Sequence, residues 1–283
     1  MTISFRNTLI VFATKHGKSQ AAHDAFARIL NSTVQELEVD TDLMGTFSGE
    51  IERTGSMQDA LRGKVRLARN ATDSRLILVS EGSFGSAGGF GLAAHGLEML
   101  MLHDSVTGVE IFEQYVSWNT NYATAKLTTL DELASFLKRI SFGTHALVLY
   151  PDGVPPSKTV YKGIVTEGEA MSAFTACREV SPTRSVMTMS DMRAHLNPTR
   201  MSAISACCEL LANRLATECA ECGSGGFGMI ATVPGLPCQA CGMPTQRARA
   251  ENHACAVCGF TKESPRADGI KEAASYECEF CNP

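Results

Sequence analysis

Eleven cysteines are placed very unevenly, with three (Cys177, Cys207, Cys208) in the first 218 residues and eight in the last 65. The eight form four Cys-x-x-Cys pairs, Cys219/Cys222, Cys238/Cys241, Cys255/Cys258 and Cys278/Cys281, separated by 15, 13 and 19 residues. Each of the first three runs straight into a glycine, Gly223, Gly242 or Gly259, so the backbone can turn tightly enough for its amides to face the thiolates. Eight thiolates make two tetrahedral four-thiolate sites with none left over, and the sequence predicts two structural Zn2+; iron in a rubredoxin-like site uses the same ligands. A redox dithiol would not explain four copies, and a reducing cytosol disfavours disulfides. The stretch CQACGMPTQRARAENHACAVCGF reads as knuckle, strand, turn, strand, knuckle. That pairs Cys238/Cys241 with Cys255/Cys258 and leaves Cys219/Cys222 for Cys278/Cys281, although sequential or crossed pairing uses the same cysteines. His253, beside Cys255, reads as a strand residue.

A second set of chemical groups follows the apolar runs of the first 218 residues, where open α/β sheets bind their ligands. Thr14-Lys15-His16-Gly17-Lys18 opens a helix, and Lys15, His16 and Lys18 beside free helix amides predict a phosphate site. The GxxxxGK spacing of a Walker loop is absent. Glu81-Gly82-Ser83-Phe84-Gly85, followed by Gly88-Gly89-Phe90-Gly91, places Glu81 where it can hold Mg2+ or Mn2+ or act as a base, with Ser83 at the ligand. The segment from Asp40 to Glu50 is dense in carboxylates and small polar groups. In Asp191-Met192-Arg193-Ala194-His195-Leu196-Asn197-Pro198-Thr199-Arg200, the two arginines can bind phosphate while Asp191 and His195 orient and move a proton. Lys162 and Asp152 are weaker candidates. Both groups follow strands of one presumed sheet, so they are expected to face one cleft.

Positioning these residues requires strands at 8–13, 34–39, 75–80, 97–103, 109–117, 145–150 and 184–190, with helices at 18–30, 57–69, 129–139 and 167–178. Such alternation predicts an α/β fold, a mixed or mostly parallel sheet flanked by helices, with one hairpin at Asp104 to Gly108. Asn197 and Pro198 start a last helix that leads directly into Cys219. The expected domains are 1–218, catalytic or ligand-binding, and 219–283, a double zinc-ribbon-like module. Of 283 residues, 44% are hydrophobic and 19% charged, enough to bury a core. No apolar run reaches the roughly 20 residues of a membrane span, and the N-terminus carries no secretory pattern, so a cytoplasmic protein is expected. The net charge of -5 disfavours nucleic acid as partner. In the tail, five Lys/Arg face seven Asp/Glu and the thiolates outweigh two divalent cations; only Arg247 and Arg249 offer a small basic patch.

The stretches ATKHGK, DTDLMGTFSGEIER, SEGSFG, DMRAHLNPTR, PGLPCQACGMPT and the closing CNP resemble an uncharacterised bacterial family known only as a domain of unknown function. Residues 8 to 83 also look like the front half of house-cleaning nucleoside-triphosphate pyrophosphohydrolases. That resemblance implies phosphate binding by Lys15 or Lys18 and by Lys64, and Mg2+ at Glu81, with His16 standing where that family usually shows Asn.

Together these features predict a metal-dependent hydrolase or transferase acting on a phosphorylated small molecule, preferentially a nucleotide. Its catalytic residues would be Glu81, Asp191 and His195. The rival is a non-catalytic anion sensor or adaptor whose zinc tail contacts a protein partner, and a nucleic-acid-processing protein comes third.

Overall fold

The computed structural model describes residues 2–45, 50, 51, 55–87 and 93–283. Thr46 to Gly49, Glu52, Arg53 and the Gly88-Gly89-Phe90-Gly91 run of the sequence motifs lie outside the described residues. Two compact units are formed, one of residues 7–212 and the other of residues 2–6 together with 213–283.

In the larger unit the first strand, β1 (Leu9–Thr14), is apolar up to Thr14 and buried at every position but the first, as a strand covered on both faces must be. It pairs in parallel with β2 (Thr33–Glu38) and β3 (Leu76–Ala87). Helix α1 (Ser19–Leu30) buries Ala22, Phe26 and Leu30 and is closed by Asn31 in the left-handed region. Helix α2 (Met57–Arg69) starts on a capping box of Ser56 and Asp59. Its Leu61, Val65 and Ala68 pack against Ala13, Ile77, Val79 and Met101. β3 pairs antiparallel with β4 (Ala93–Asp104), and β4 with β5 (Glu110–Ser117), completing a five-stranded mixed sheet of order β2-β1-β3-β4-β5. The turn into β5 lies at the expected place. Gly108 has φ +73°, and the Asp104 carboxylate accepts from the Val106 amide at 3.0 Å and from Arg75 at 2.8 Å.

The remaining strands do not extend this sheet, which corrects the expectation of a single one. β6 (Thr124–Leu127), β7 (Leu147–Pro151), β8 (Tyr161–Ile164) and β9 (Val186–Ser190) form a separate antiparallel sheet of order β6-β9-β7-β8. Helices α3 (Leu130–Arg139) and α4 (Glu167–Val180) bury Leu133, Phe136, Phe174 and Cys177 against Leu147, Leu149 and Val186. β6 and β8 have four residues each, too short for a period-two pattern to show in TAKL or YKGI. Helix α5 (Pro198–Ala216) starts as its sequence predicts, the Asn197 side chain accepting the Arg200 amide at 2.9 Å.

In the smaller unit β10 (Gly228–Pro234), β11 (Ala248–Ala254) and β12 (Thr261–Pro265) form an antiparallel meander. The N-terminal segment joins this unit: the Ile3 amide donates to Ser224 Oγ at 3.0 Å and the Gly225 amide to the Ile3 carbonyl at 2.9 Å. Among the described residues no helix is long and apolar enough to cross a membrane.

Asp104 is 1% exposed. Burial pulls its pKa up, but Arg75 and the Val106 amide outweigh this and hold it below the ordinary 3.8. Asp104→Asn should therefore cost roughly 1–3 kcal/mol of unfolding free energy at neutral pH. The gap should close as pH falls below the carboxylate range, because the ion pair contributes only while Asp104 is ionised. Chemical denaturation at both pH values checks this, and a pH-independent gap would contradict it.

Candidate functional site

The loop after β1 turns at Gly17, whose φ of +62° suits glycine, and delivers Lys18 as the N-cap of α1 with no side-chain cap bond. A cavity of about 320 Å³ opens here, lined by His16, Lys18, Asp42, Lys64, Glu81, Ser83, Arg193 and Arg200 together with Phe84, Tyr122 and Met189. Seven of the expected site residues are thus gathered, although β9 and β3 belong to different sheets and share no carboxyl edge.

Lys18 is 7% exposed. Among the described residues its amine has one hydrogen bond, donated to Ser80 Oγ at 3.1 Å. Burial, with Arg200 and Lys64 adding repulsion, lowers its pKa to about 7. Lys64 donates to the Ser80 carbonyl at 2.6 Å and forms a buried ion pair with Glu81. Glu81, expected to hold a divalent metal or act as base, therefore has a lysine in contact.

Arg200 pairs with Glu98 at 2.7 Å, their side chains being 9% and 1% exposed. It also donates to the Met192 carbonyl and lies 5.0 Å over the Phe84 ring. Glu98 is the site residue that sequence reasoning missed. Its signal was an acid inside the apolar run LEMLMLH, which can be buried there only with a cationic partner. A Cβ on Gly82 would fall on the Arg200 guanidinium and lie 2.9 Å from Glu98 Oε1.

Asp191 does not line the cavity. Its carboxylate accepts from the Arg193 side chain at 2.6 Å and from the Gly163 amide at 3.1 Å, and so positions Arg193. Lys15 is likewise turned to carboxylates, Asp40 at 2.8 Å and Asp42 at 2.7 Å, which hold its pKa up. His195 lines an adjoining cavity of about 530 Å³ with Gly17, Gln20 and Met201, its ring stacked on His16 at 4.9 Å. Burial and Lys18 lower His16 to about 4, and burial and Arg193 lower His195. Lys162 pairs with Glu50, and Asp152 with Lys126 at 2.6 Å.

The cysteines form the second centre. Cys219/Cys222 precede β10, Cys238/Cys241 lie between β10 and β11, Cys255/Cys258 lie between β11 and β12, and Cys278/Cys281 follow β12. The clusters are Cys219, Cys222, Cys255 and Cys258, and Cys238, Cys241, Cys278 and Cys281. This crossed arrangement corrects the expected pairing of Cys238/Cys241 with Cys255/Cys258. The residues between those two pairs hold one strand, β11, not a hairpin, so the pairs sit at opposite ends of a seven-residue strand, about 20 Å apart. Two passes, β10 and β11, bring the first pair back to the third.

Cross-pair Sγ···Sγ distances are 3.7 Å (Cys219–Cys258), 3.7 Å (Cys222–Cys255), 3.9 Å (Cys238–Cys281) and 3.7 Å (Cys241–Cys278). A tetrahedron with metal–sulfur bonds of about 2.3 Å has an edge of about 3.8 Å, whereas a disulfide measures about 2.05 Å. The Gly223, Gly242 and Gly259 amides close the expected tight turns onto Cys219, Cys238 and Cys255, and Asn282 closes the fourth onto Cys278. Ser224 holds the Cys222 thiol down to about 6, and the Ala240 and Cys241 amides hold Cys238 down to about 7. Both clusters can hold a tetrahedral metal ion. His253 stacks on Phe227 and belongs to neither. Arg247 and Arg249, the expected basic patch, pair with Glu277 at 2.6 Å and Glu263 at 2.8 Å.

These features define an α/β protein with a charge-paired cleft and a two-cluster cysteine module. Residues 64–283 match the family DUF6671, a domain of unknown function, and the chain belongs to it. The match begins at Lys64, so it adds nothing to the pyrophosphohydrolase likeness of residues 8 to 83. Comparison with curated proteins gives no match.

Gly82→Ala should displace the Arg200 guanidinium tip, weaken its pairing with Glu98 and cost roughly 1–3 kcal/mol of unfolding free energy. An unchanged denaturation midpoint would contradict the packing described.

Proposed function

We propose that the cleft binds a phosphorylated small molecule, a nucleotide first among the candidates, and that the protein acts on it as a hydrolase or transferase. The observation that carries this reading is Lys18. Glu98 and Glu81, the carboxylates acting on it, are bonded to Arg200 and Lys64, so a phosphate oxygen would supply the acceptor that the amine lacks. Lys64, Arg193 and Ser83 line the same cavity, and cations placed ahead of time around a phosphoryl group stabilise its transferring charge. His16 is held neutral and is suited to accept a proton. His195 reaches the phosphate's surroundings only through His16. Glu81 keeps its proposed role as base, or as Mg2+ or Mn2+ ligand, by exchanging Lys64 for the incoming group; Asp191 acts by holding Arg193.

In the tail we assign zinc to both clusters, as structural ions that hold the ends of the meander. A second reading, non-catalytic anion sensing with the tail contacting a protein partner, draws on the fact that Arg193 and Arg200 are already paired with buried carboxylates.

Incubation with a nucleotide panel and Mg2+ or Mn2+ should release phosphate or pyrophosphate; saturable binding without release would favour the sensor. Lys18→Met should abolish binding while stabilising the fold. A lysine whose folded pKa lies near 7 against 10.5 unfolded costs stability in full below pH 7, and the cost fades as pH rises towards 10.5. The gain in melting temperature should thus be largest near about pH 6 and shrink in alkali. Unchanged nucleotide affinity in this variant would refute the reading. Elemental analysis should return two zinc atoms per folded chain, and chelation should unfold the tail, since structural zinc in small domains is worth on the order of 10 kcal/mol. Fewer than two metal atoms in fully folded protein would refute the assignment.

A further inference from the structure

The cleft asks what Lys18 does once a phosphate is present, because two different jobs fit an amine at that place. A cation that only anchors phosphate serves best fully protonated, and burial beside other cations works against that protonation. Lys18 faces Arg200 from α5 and Lys64 from α2, with Glu98 of β4 and Glu81 of β3 the acidic groups acting on it. Both of those acids are already bonded, to Arg200 and to Lys64. The amine is thus buried beside Arg200 and Lys64, each already paired with an acid, with the Ser80 hydroxyl as its one hydrogen-bond partner among the described residues. Desolvation beside other cations is what turns a lysine from a charge into a nucleophile.

We propose that Lys18 is the nucleophile of the site and attacks phosphorus in a phosphoanhydride, such as a nucleoside diphosphate or triphosphate, to form a covalent phosphoramidate. This rests on the phosphate-binding reading above and goes past it. In the step, the lone pair of Nζ forms a bond to phosphorus. The bond from that phosphorus to the bridging oxygen breaks, and its electron pair leaves on the departing group, phosphate or pyrophosphate when the α phosphorus is attacked and the nucleoside mono- or diphosphate when the terminal one is; that group also takes up the proton shed by nitrogen. Nothing is oxidised or reduced. Lys64, Arg193 and Arg200, all lining the same cavity, face the oxygens on which charge accumulates. The phosphoramidate is then opened by water or by an acceptor hydroxyl, which regenerates the amine. One intermediate thereby serves either a hydrolase or a transferase, and the second substrate decides between them.

Labelling should strengthen as pH rises through about 7, where the amine loses its proton.

The test uses the full-length protein with its metals, ATP or GTP labelled at the α or the γ phosphorus, and Mg2+. It is quenched in alkali, where P–N bonds survive, and followed by peptide mapping. The expected result is one acid-labile adduct on Lys18, reversed by added pyrophosphate if the α label is retained and by ADP or GDP if the γ label is; the label position retained tells which half of the anhydride stays. Lys18→Arg, which keeps the charge but not the nucleophile, should lose the adduct entirely. Nucleotide binding to the wild-type protein is measured in parallel by calorimetry. Binding or turnover with no adduct in rapid-quench samples would overturn the covalent role and leave the phosphate reading standing. An adduct on another residue would also overturn it. No nucleotide binding at all would overturn both.

Discussion

The ion pair between Glu98 and Arg200 is the contact on which the cleft depends. Glu98 lies in the middle of β4, Arg200 in the first turn of α5, and 102 residues separate them. Two charges so deeply buried hold together only if each saturates the other. The remaining Arg200 donor capacity goes to the Met192 carbonyl, and its flat face lies over Phe84. Removing either partner would strand a charge in the interior. This is how the turn after β9, in one sheet, is fastened to β3 and β4, in the other. Arg193 enters the cavity from that turn, held by Asp191, which is in turn held by the Gly163 amide. The chain of contacts begins at a glycine, since any side chain at Gly82 would occupy the space of the guanidinium.

Much of this was legible in the sequence, though partly for the wrong physical reason. The long apolar runs and the four internal helices declare themselves by periodicity, and Asn197-Pro198 by capping chemistry. The prediction that Asp191, Arg193, His195 and Arg200 face one cleft with Lys15 and Glu81 rested on a common sheet edge. The structure gathers Glu81, Arg193 and Arg200 with Lys18 and Lys64 across two sheets instead, through a salt bridge whose acidic member was hidden in a strand. Lys15 shows the limit of reading a loop by composition. The same Asp40 and Asp42 that make the 40–50 segment look functional are the groups that take Lys15 away from the cavity. His195, on the 3₁₀ turn Ala194–Leu196, stacks on His16 and lines the adjoining cavity instead.

For the cysteines the ligands were legible and their partition was not, and the difference is one of parity. In an antiparallel meander, pairs separated by an even number of strands return to the same end, whereas pairs separated by an odd number do not. The partition therefore hangs on counting strands correctly between successive pairs. The stretch from Gly242 to Ala254 was expected to contain two and contains one. Its first half, MPTQ, is taken up by the turn that lets Thr245 bond Leu236 and Arg247 meet Glu277. β10, mostly exposed, carries too few inward apolar residues to show as a strand. A crossed partition has a mechanical consequence: every strand of the sheet runs from one cluster to the other, so neither cluster closes a loop that can fold by itself.

The energetics of the cleft leave one uncompensated element. Arg193, Arg200 and Lys64 each bring an acid with them, so their charges are largely cancelled before any ligand arrives. Lys18 brings none, and the fold carries the cost of burying it, on the order of a few kcal/mol, a sizeable fraction of the stability of an ordinary domain. Replacing it by an apolar residue of similar shape would relieve that cost without breaking the neighbouring pairs, because among the described residues its one hydrogen-bond partner is the Ser80 hydroxyl. A packing role therefore does not account for an amine at this position. In the reading proposed above, the amine serves chemistry that needs either a proton-bearing cation waiting for an anion or a free base shielded from water, and a pKa drawn down to about 7 keeps both forms populated near neutrality.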